Sequence, residues 1–176
     1  PTHRVSADNL VGQKEDHEFP ALSLAKTKKV EDLVKWSEGR PVWLSWKLDG
    51  LTIVLTYEEG KLAKAVTRGN GEIGEVITSN ARTFENLPLA IDFKGELVLR
   101  GEAVISYADF EKINDEITDE GAKYKNPRNL CSGSVRQLNN EITAQRHVQF
   151  FAFSLVSADG VKFKTRNEQF DWLTER

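Results

Sequence analysis

Apolar and polar residues alternate most clearly over residues 43–50, which read Trp-Leu-Ser-Trp-Lys-Leu-Asp-Gly. This alternation predicts a strand, because successive side chains of a strand point to opposite faces of the sheet. Lys47 then shares a face with Ser45, and Asp49 joins them if the strand continues. The opposite face is apolar throughout and predicts a core position for Leu48. An amine and a carboxylate would therefore lie together at the end of a buried strand.

The next two segments have the pattern of a β-hairpin. Residues 51–57 are rich in β-branched side chains, residues 58–60 end in glycine and form the turn, and residues 61–67 return. Residues 147–155 are apolar at nearly every position, so we predict a central strand with both faces covered. A further strand is predicted over residues 96–105, between the hairpin and residues 147–155.

The strand predicted over residues 96–105 has one apolar and one charged face. Glu96, Arg100 and Glu102 share the charged side. A half-exposed antiparallel strand explains this pattern, and a strand that forms the floor of a polar pocket explains it equally well.

Helices are predicted wherever apolar residues recur at a period of 3.6 and a capping residue precedes them. They cover residues 27–39, 76–82, 106–117, 126–138 and 165–176. In the third, Ser106 is the N-cap and Tyr107, Phe110 and Ile113 form the inner face; in the fourth, Asn126 and Pro127 open the helix. The fold class is therefore α+β, with mostly antiparallel sheets flanked by helices.

The composition describes a single globular domain of 176 residues, with 39% hydrophobic and 29% charged residues. No apolar run approaches the ~20 residues of a membrane helix, so we expect no membrane association. Cys131 is the only cysteine, which excludes an internal disulfide and predicts a reducing, cytoplasmic setting. There is no methionine, so the sequence fits either a processed chain or a piece of a longer one.

The net charge of −3 argues against a protein that binds nucleic acid over its whole surface. A local basic face is still allowed. Residues 119–146 contain five basic and three acidic side chains, a local balance of 5 − 3 = +2. Arg128 and Arg136 in this segment are candidate phosphate contacts, although solvated charges on a helix are more common in general.

The candidate nucleophile is Lys47, which is followed by Asp49 and Gly50. A lysine amine beside a carboxylate, next to a glycine that allows a ligand to approach closely, has the composition of a covalent catalytic site. Taken alone, the motif is more often a surface lysine in a turn. Arg68 opens a glycine-rich segment, residues 67–75, which is compatible with a ligand-binding loop and equally with a plain surface loop.

Several short blocks occur in the order that is typical of one family. They are His17-x-x-Pro20 with Leu22-Ser23-Leu24, Lys47-Leu48-Asp49-Gly50, Thr67-Arg68-Gly69-Asn70-Gly71, Arg100-Gly101-Glu102, Asn126-Pro127-Arg128-Asn129 with Gly133-Ser134-Val135-Arg136-Gln137-Leu138, and Ile142-Thr143-Ala144. Together they resemble the adenylation (nucleotidyltransferase) domain of bacterial NAD-dependent DNA ligases. The resemblance spans residues 1 to about 155. It makes a catalytic lysine a better interpretation of Lys47 than a surface lysine in a turn.

The resemblance implies a two-substrate reaction. Lys47 would attack the α-phosphate of NAD, with magnesium present, and hold AMP as a phosphoramidate, with Asp49 as the acidic residue beside it. The adenylate would pass to the 5′-phosphate of nicked double-stranded DNA, and the 3′-hydroxyl would then displace AMP. No residue is assigned as a protein ligand of a metal.

The resemblance also implies which residues bind the substrates. The nucleotide would be bound by Ser23, Leu24, Ser45, Lys47, Leu48, Arg68 and Glu102, and DNA by Arg128 and Arg136. Ser45 stands where the family usually has a glutamate, so this adenine contact is left open. The implied fold is the nucleotidyltransferase (ATP-grasp-like ligase) fold, with the nucleotide in a cleft between the sheets.

Two alternatives to a catalytic NAD-dependent ligase domain stay open. Residues 1–176 are expected to be a single adenylation-domain core, truncated at both ends relative to a full ligase, and two lysines of later family motifs are not in this sequence. The chain could therefore be a non-catalytic nucleotide- or DNA-binding fragment of the same fold. Lys-x-Asp-Gly also occurs in ATP-dependent ligases and RNA-capping guanylyltransferases. The oligomeric state is not predicted.

Overall fold

A computed structural model of the chain describes residues 14–16, 31, 48–162 and 166–174. The predicted strand over residues 43–47 lies outside this part of the chain. So does the predicted helix over residues 27–39, except for Glu31, which is helical.

The strands form two antiparallel sheets. They are β1 (Lys14–Asp16), β2 (Leu51–Glu58), β3 (Lys61–Thr67), β4 (Ile73–Glu75), β5 (Leu97–Val104) and β6 (Gln149–Ala158). β1 pairs with β4, and the larger sheet has the order β3-β2-β5-β6. The predicted hairpin is confirmed as β2 and β3, with the turn at Glu59 and Gly60 in the left-handed region. Within the described residues β6 pairs with β5 alone, so the central position predicted for it is not seen there.

One face of the larger sheet forms the core. On β2 this face consists of Ile53, Leu55 and Tyr57, all at most 2% exposed. Their partners on β5 are glycine at position 101, Leu99 and Leu97, which continue the same apolar layer. The period of two in the sequence thus decided which side chains are buried, and the other face is left for polar side chains.

The helices are α1 (Thr78–Ala81), α2 (Tyr107–Glu116), α3 (Pro127–Val135), α4 (Asn140–Ala144) and α5 (Arg166–Thr174). Capping sets the starts of α2 and α3 as predicted: Ser106 accepts a hydrogen bond from the Asp109 amide, and Asn126 accepts one from the Asn129 amide. α3 ends at Val135, three residues before the predicted limit, and α4 was not predicted.

The inner face of α2 differs in part from the prediction. Phe110 is buried, whereas Tyr107 is 65% exposed and lies edge-on against the Phe110 ring. Tyr107 is the first residue of the helix.

The fold class is mixed α/β with antiparallel sheets, as expected from the sequence. Among the described residues, no helix has the length and apolar character that crossing a membrane requires.

Candidate active site

Glu102 is held at the start of the β2–β5 pair by two hydrogen-bond donors. It lies directly opposite Thr52 in the strand register, and the Thr52 hydroxyl donates to Glu102 Oε2 at 2.9 Å. The Gly50 backbone N–H donates a second bond to the same carboxylate. Glu102 is half-buried on the face of the sheet opposite the core. A carboxylate that is fixed in this way can still accept a hydrogen bond from a ligand hydroxyl.

Five influences act on the pKa of Glu102. Burial raises it above its ordinary value, and this is the largest effect. The bonds from Thr52 and Gly50 and the positive charge of Arg128 lower it, while the negative charge of Asp49 raises it. Asp49 and Arg128, which the sequence proposed for different roles, are therefore close enough to Glu102 to interact with it. A carboxyl with a perturbed pKa among several polar groups is typical of a functional site.

Gly50 is required by a close backbone contact. A Cβ at this position would lie 2.0 Å from the Ala103 carbonyl oxygen, which is far inside van der Waals contact. The glycine of the Lys-x-Asp-Gly motif thus lets the segment before β2 lie directly against β5. This contact is what brings the Gly50 N–H to Glu102.

The prediction that Leu48 belongs to the core is wrong. Its side chain is 39% exposed, and Asp49 is exposed as well. β2 begins only at Leu51, so residues 48–50 do not have the strand backbone on which the alternation rule depends. Leu48 and Asp49 instead lie at the surface, and Asp49 is close enough to Glu102 to act on its pKa.

The backbone of Arg68 is hydrogen-bonded to Thr52, the residue whose hydroxyl holds Glu102. Its backbone N–H donates to the Thr52 carbonyl at 2.9 Å, and its side chain is half-buried. The glycine-rich segment that follows is internally bonded: Asn70 Oδ1 accepts from the amides of residues 72 and 73. Gly69 and Gly71 have φ of 57° and 99°. The segment is therefore a defined turn with Arg68 at its start.

α3 packs against the same end of β5. Cys131 is fully buried, and its thiol lies 3.2 Å from the Ala103 carbonyl oxygen. This contact places Arg128, on the first turn of α3, near Glu102. Arg136, just past the end of the helix, instead pairs with Glu75 of β4, with Nε 3.2 Å from Oε2. The structure thus assigns the two arginines to different surroundings.

Two groups in this region were not found from the sequence. Thr52 is one; its signal was its position two residues after the motif glycine, on the polar face of a strand. Phe151 is the other, since it lies opposite Glu102 in the β5–β6 register and is 43% exposed. Phe153 on the same strand is 39% exposed. The apolar pattern that predicted a doubly covered strand also fits aromatic side chains that are presented for stacking.

Four of the predicted site residues lie outside the described part of the chain: Ser23, Leu24, Ser45 and Lys47. Their assignment stays a prediction. Residues 48–50, which follow Lys47 directly in the sequence, are described.

A metal ion would find few ligands here. Within the residues that the structure describes, no group of three or more His, Cys, Asp and Glu side chains could hold one. Two of the Glu102 acceptor positions are already used by protein donors. The exposed Asp49 is the carboxylate that remains accessible.

Comparison with known proteins gives consistent matches. The family described as "NAD-dependent DNA ligase adenylation domain" matches residues 12–176. A DNA ligase of Lachnoclostridium phytofermentans is 62% identical over 99% of this chain and 27% of its own length. A DNA ligase of Ruminiclostridium cellulolyticum is 65% identical over 91% of this chain and 24% of its own length. The chain spans about a quarter of the length of these relatives.

Proposed function

Because the chain belongs to the family of NAD-dependent DNA ligase adenylation domains, we propose that it forms a lysyl-AMP intermediate from NAD for the sealing of nicked DNA. Lys47 is the nucleophile. The nucleotidyltransferase fold and a nucleotide cleft over the polar face of the sheet are part of this proposal, as is a cytoplasmic setting.

The observation that carries the proposal is the set of contacts around Glu102. A ribose hydroxyl is a hydrogen-bond donor, and a half-buried carboxylate held by Thr52 and Gly50 is a pre-organised acceptor for it. The exposed rings of Phe151 and Phe153 on the neighbouring strand offer a surface on which a purine could stack. Together they match the two recognisable parts of adenosine.

The chemical step would form one bond and break another. The neutral Lys47 amine attacks the α-phosphorus and an N–P bond forms. The P–O bond to nicotinamide mononucleotide breaks, its electron pair leaves on the departing phosphate, and the proton that the nitrogen loses passes to solvent. An unperturbed lysine has a pKa of ~10.4 and is protonated at neutral pH. Its amine must therefore lose that proton before it can attack the phosphorus. Positive charge near the phosphates favours this step and stabilises the developing negative charge, and Arg68 and Arg128 supply it from this chain.

Magnesium, when bound, would neutralise phosphate oxygens. The ion commonly takes one or two carboxylates, substrate phosphates and waters as ligands rather than an all-protein cage. The accessible carboxylate of Asp49 suits this mode, which is consistent with the sparse ligand set among the described residues. Asp49 would be the protein group that supplies a ligand to the ion.

The second substrate in this proposal is nicked double-stranded DNA. Arg128 and Arg136 are both exposed and would contact its phosphates. The adenylate would pass from Lys47 to the 5′-phosphate of the nick, after which the 3′-hydroxyl displaces AMP.

Intact-mass measurement after incubation with NAD and magnesium tests the proposal. The expected result is a gain of one AMP, absent in Lys47→Ala and kept in the matched control Lys61→Ala, an exposed lysine at the start of β3. AMP added from ATP but not from NAD would instead indicate an ATP-dependent enzyme.

The alternative is a chain that binds nucleotide or DNA without turnover. Retention of NAD or nicked DNA with no covalent adduct would support this function and contradict the first.

A further inference from the structure

The Arg136 side chain is fixed by contacts on two sides. Its Nε donates to Glu75 Oε2 at 3.2 Å, and its Nη1 contacts both the hydroxyl and the carbonyl oxygen of Ser132, one turn earlier in α3. A guanidinium has five N–H donors, and within the described residues none of those on Nη2 has a partner. The group is therefore oriented by the protein but keeps donors for a ligand.

Glu75 connects Arg136 to the turn that carries Arg68. The Glu75 backbone N–H donates to the hydroxyl of Thr67 at 2.9 Å, and Thr67 is 1% exposed. Arg68 follows Thr67 directly. The two arginines are thus attached to opposite ends of one internally bonded segment, residues 67–75.

The backbone at Arg136 is fixed as well. Asn80 is fully buried, and its Nδ2 donates to the carbonyl oxygens of Val135 at 2.6 Å and Gln137 at 2.8 Å. These are the residues on either side of Arg136. The Asn80 amide therefore holds the point at which α3 ends and the arginine leaves the helix.

A carboxylate beside Arg136 has a cost for binding DNA. It offsets the positive charge that attracts phosphate, so an arginine needed only for its charge would bind better without it. The carboxylate can still increase the affinity for DNA if it orients the guanidinium. A free arginine loses side-chain entropy when it binds phosphate, whereas an arginine that is already held in place loses less.

We propose that Glu75 is a positioning residue, which holds the Arg136 guanidinium in the orientation that binds a phosphodiester of the DNA strand. Asn80 fixes the backbone for the same purpose. The proposal rests on the proposed function, because it requires that Arg136 contacts DNA. It adds two residues that the sequence analysis did not single out.

The test measures the affinity of this chain for a nicked duplex by fluorescence anisotropy at several salt concentrations. Glu75→Ala is expected to weaken binding about five-fold and to reduce the slope of log affinity against log salt by about one, the contribution of one phosphate contact. Glu75→Gln keeps an acceptor for Nε and is expected to restore both. The control Glu72→Ala removes the same charge from the same turn, and its exposed side chain makes no contact with Arg136 in the described structure.

A double variant separates positioning from general charge effects. If Glu75 acts through Arg136, then Glu75→Ala combined with Arg136→Ala binds no more weakly than Arg136→Ala alone. Tighter binding by Glu75→Ala, or additive losses in the double variant, would overturn the inference. Adduct formation from NAD with no effect of Glu75→Ala on DNA binding would overturn this inference alone. A lack of any DNA binding by the unaltered chain would overturn it together with the DNA-binding part of the proposed function.

Discussion

Thr52 and Glu102 face each other across neighbouring strands, and the threonine hydroxyl donates to the carboxylate at 2.9 Å. The pair lies on the polar face of a sheet whose other face is core. Burial still raises the pKa of Glu102 despite this bond, the Gly50 N–H and the nearby Arg128 charge. The ionised Glu102 side chain therefore lowers the stability of the folded chain. This is typical of a residue that is retained because it binds a ligand.

This cost predicts that Glu102→Gln stabilises the folded chain at neutral pH. A carboxyl with a raised pKa in the folded state binds its proton more tightly there than in the unfolded chain, so stability falls as pH rises from about 4.5 through the folded pKa. The amide cannot ionise and escapes this loss. Thermal melting should give a higher melting temperature for the variant at pH 7 and no difference below pH 4.

The same substitution should reduce adduct formation from NAD, since a neutral amide is a weaker acceptor for a ribose hydroxyl. Glu96→Gln, at an outer position just before β5, is the matched control for both measurements. A lower melting temperature for Glu102→Gln at pH 7 would show that the carboxylate stabilises the fold instead.

The motif glycine gives a second prediction. Gly50→Ala should lower the melting temperature and abolish the AMP adduct, because its Cβ would lie 2.0 Å from the Ala103 carbonyl oxygen and push Asp49 and the preceding segment away from Glu102. Gly121→Ala serves as control, since the nearest atom to its Cβ is a flexible side-chain oxygen at 3.3 Å. An unchanged adduct yield in Gly50→Ala would mean that this contact does not position the nucleophile.

Alkaline stability provides a third prediction. Burial raises the pKa of Cys131 from 9.0 to about 12 and that of Tyr57 from 10.0 to about 12. Above pH 9 the unfolded chain loses these protons before the folded chain does, so the free energy of unfolding falls with rising pH by about 1.4 kcal/mol per unit for each group. The decline begins with Cys131 and steepens near pH 10 with Tyr57.

Urea unfolding of Cys131→Ser between pH 8 and 11 checks the thiol contribution. Serine does not titrate in this range and keeps a donor for the Ala103 carbonyl oxygen, so the variant should show a flatter decline. Equal slopes in both proteins would show that the thiol is not buried as described.

The buried amide of Asn80 gives a fourth prediction. Asn80→Ala removes both donors to the carbonyl oxygens of Val135 and Gln137, and buried acceptors left without partners should lower the free energy of unfolding by about 2–3 kcal/mol. Asn129→Ala, at an exposed position on α3, should change it by less than about 0.5 kcal/mol. Urea unfolding curves of the two variants measure the difference, and equal midpoints would contradict the role given to Asn80.

Much of the fold was predictable because it depends on local signals. The period of two located β2, β3 and β5, and the caps at Ser106 and Asn126 gave the exact starts of α2 and α3. β4 and α4 were missed, since each is at most five residues long and is defined by its partners: β4 by pairing with β1, and α4 by the Asn139 cap and packing on α1 and α3. The exposure of Leu48 was missed because the alternation rule was applied to residues 48–50, which are not part of a strand.

The order of short motifs was enough to determine the family and to single out Lys47, Asp49, Arg68, Glu102, Arg128 and Arg136, because residue types in a fixed order are a property of the sequence itself. The tertiary structure alone decided which of them act on one another. In the folded chain Asp49 and Arg128 lie close enough to Glu102 to act on its pKa, whereas Arg136 forms an ion pair with Glu75. The physical reason is that charges and hydrogen bonds depend on distances in space. Those distances are set by strand register and helix packing between residues far apart in the sequence, such as Glu75 and Arg136, which are 61 positions apart.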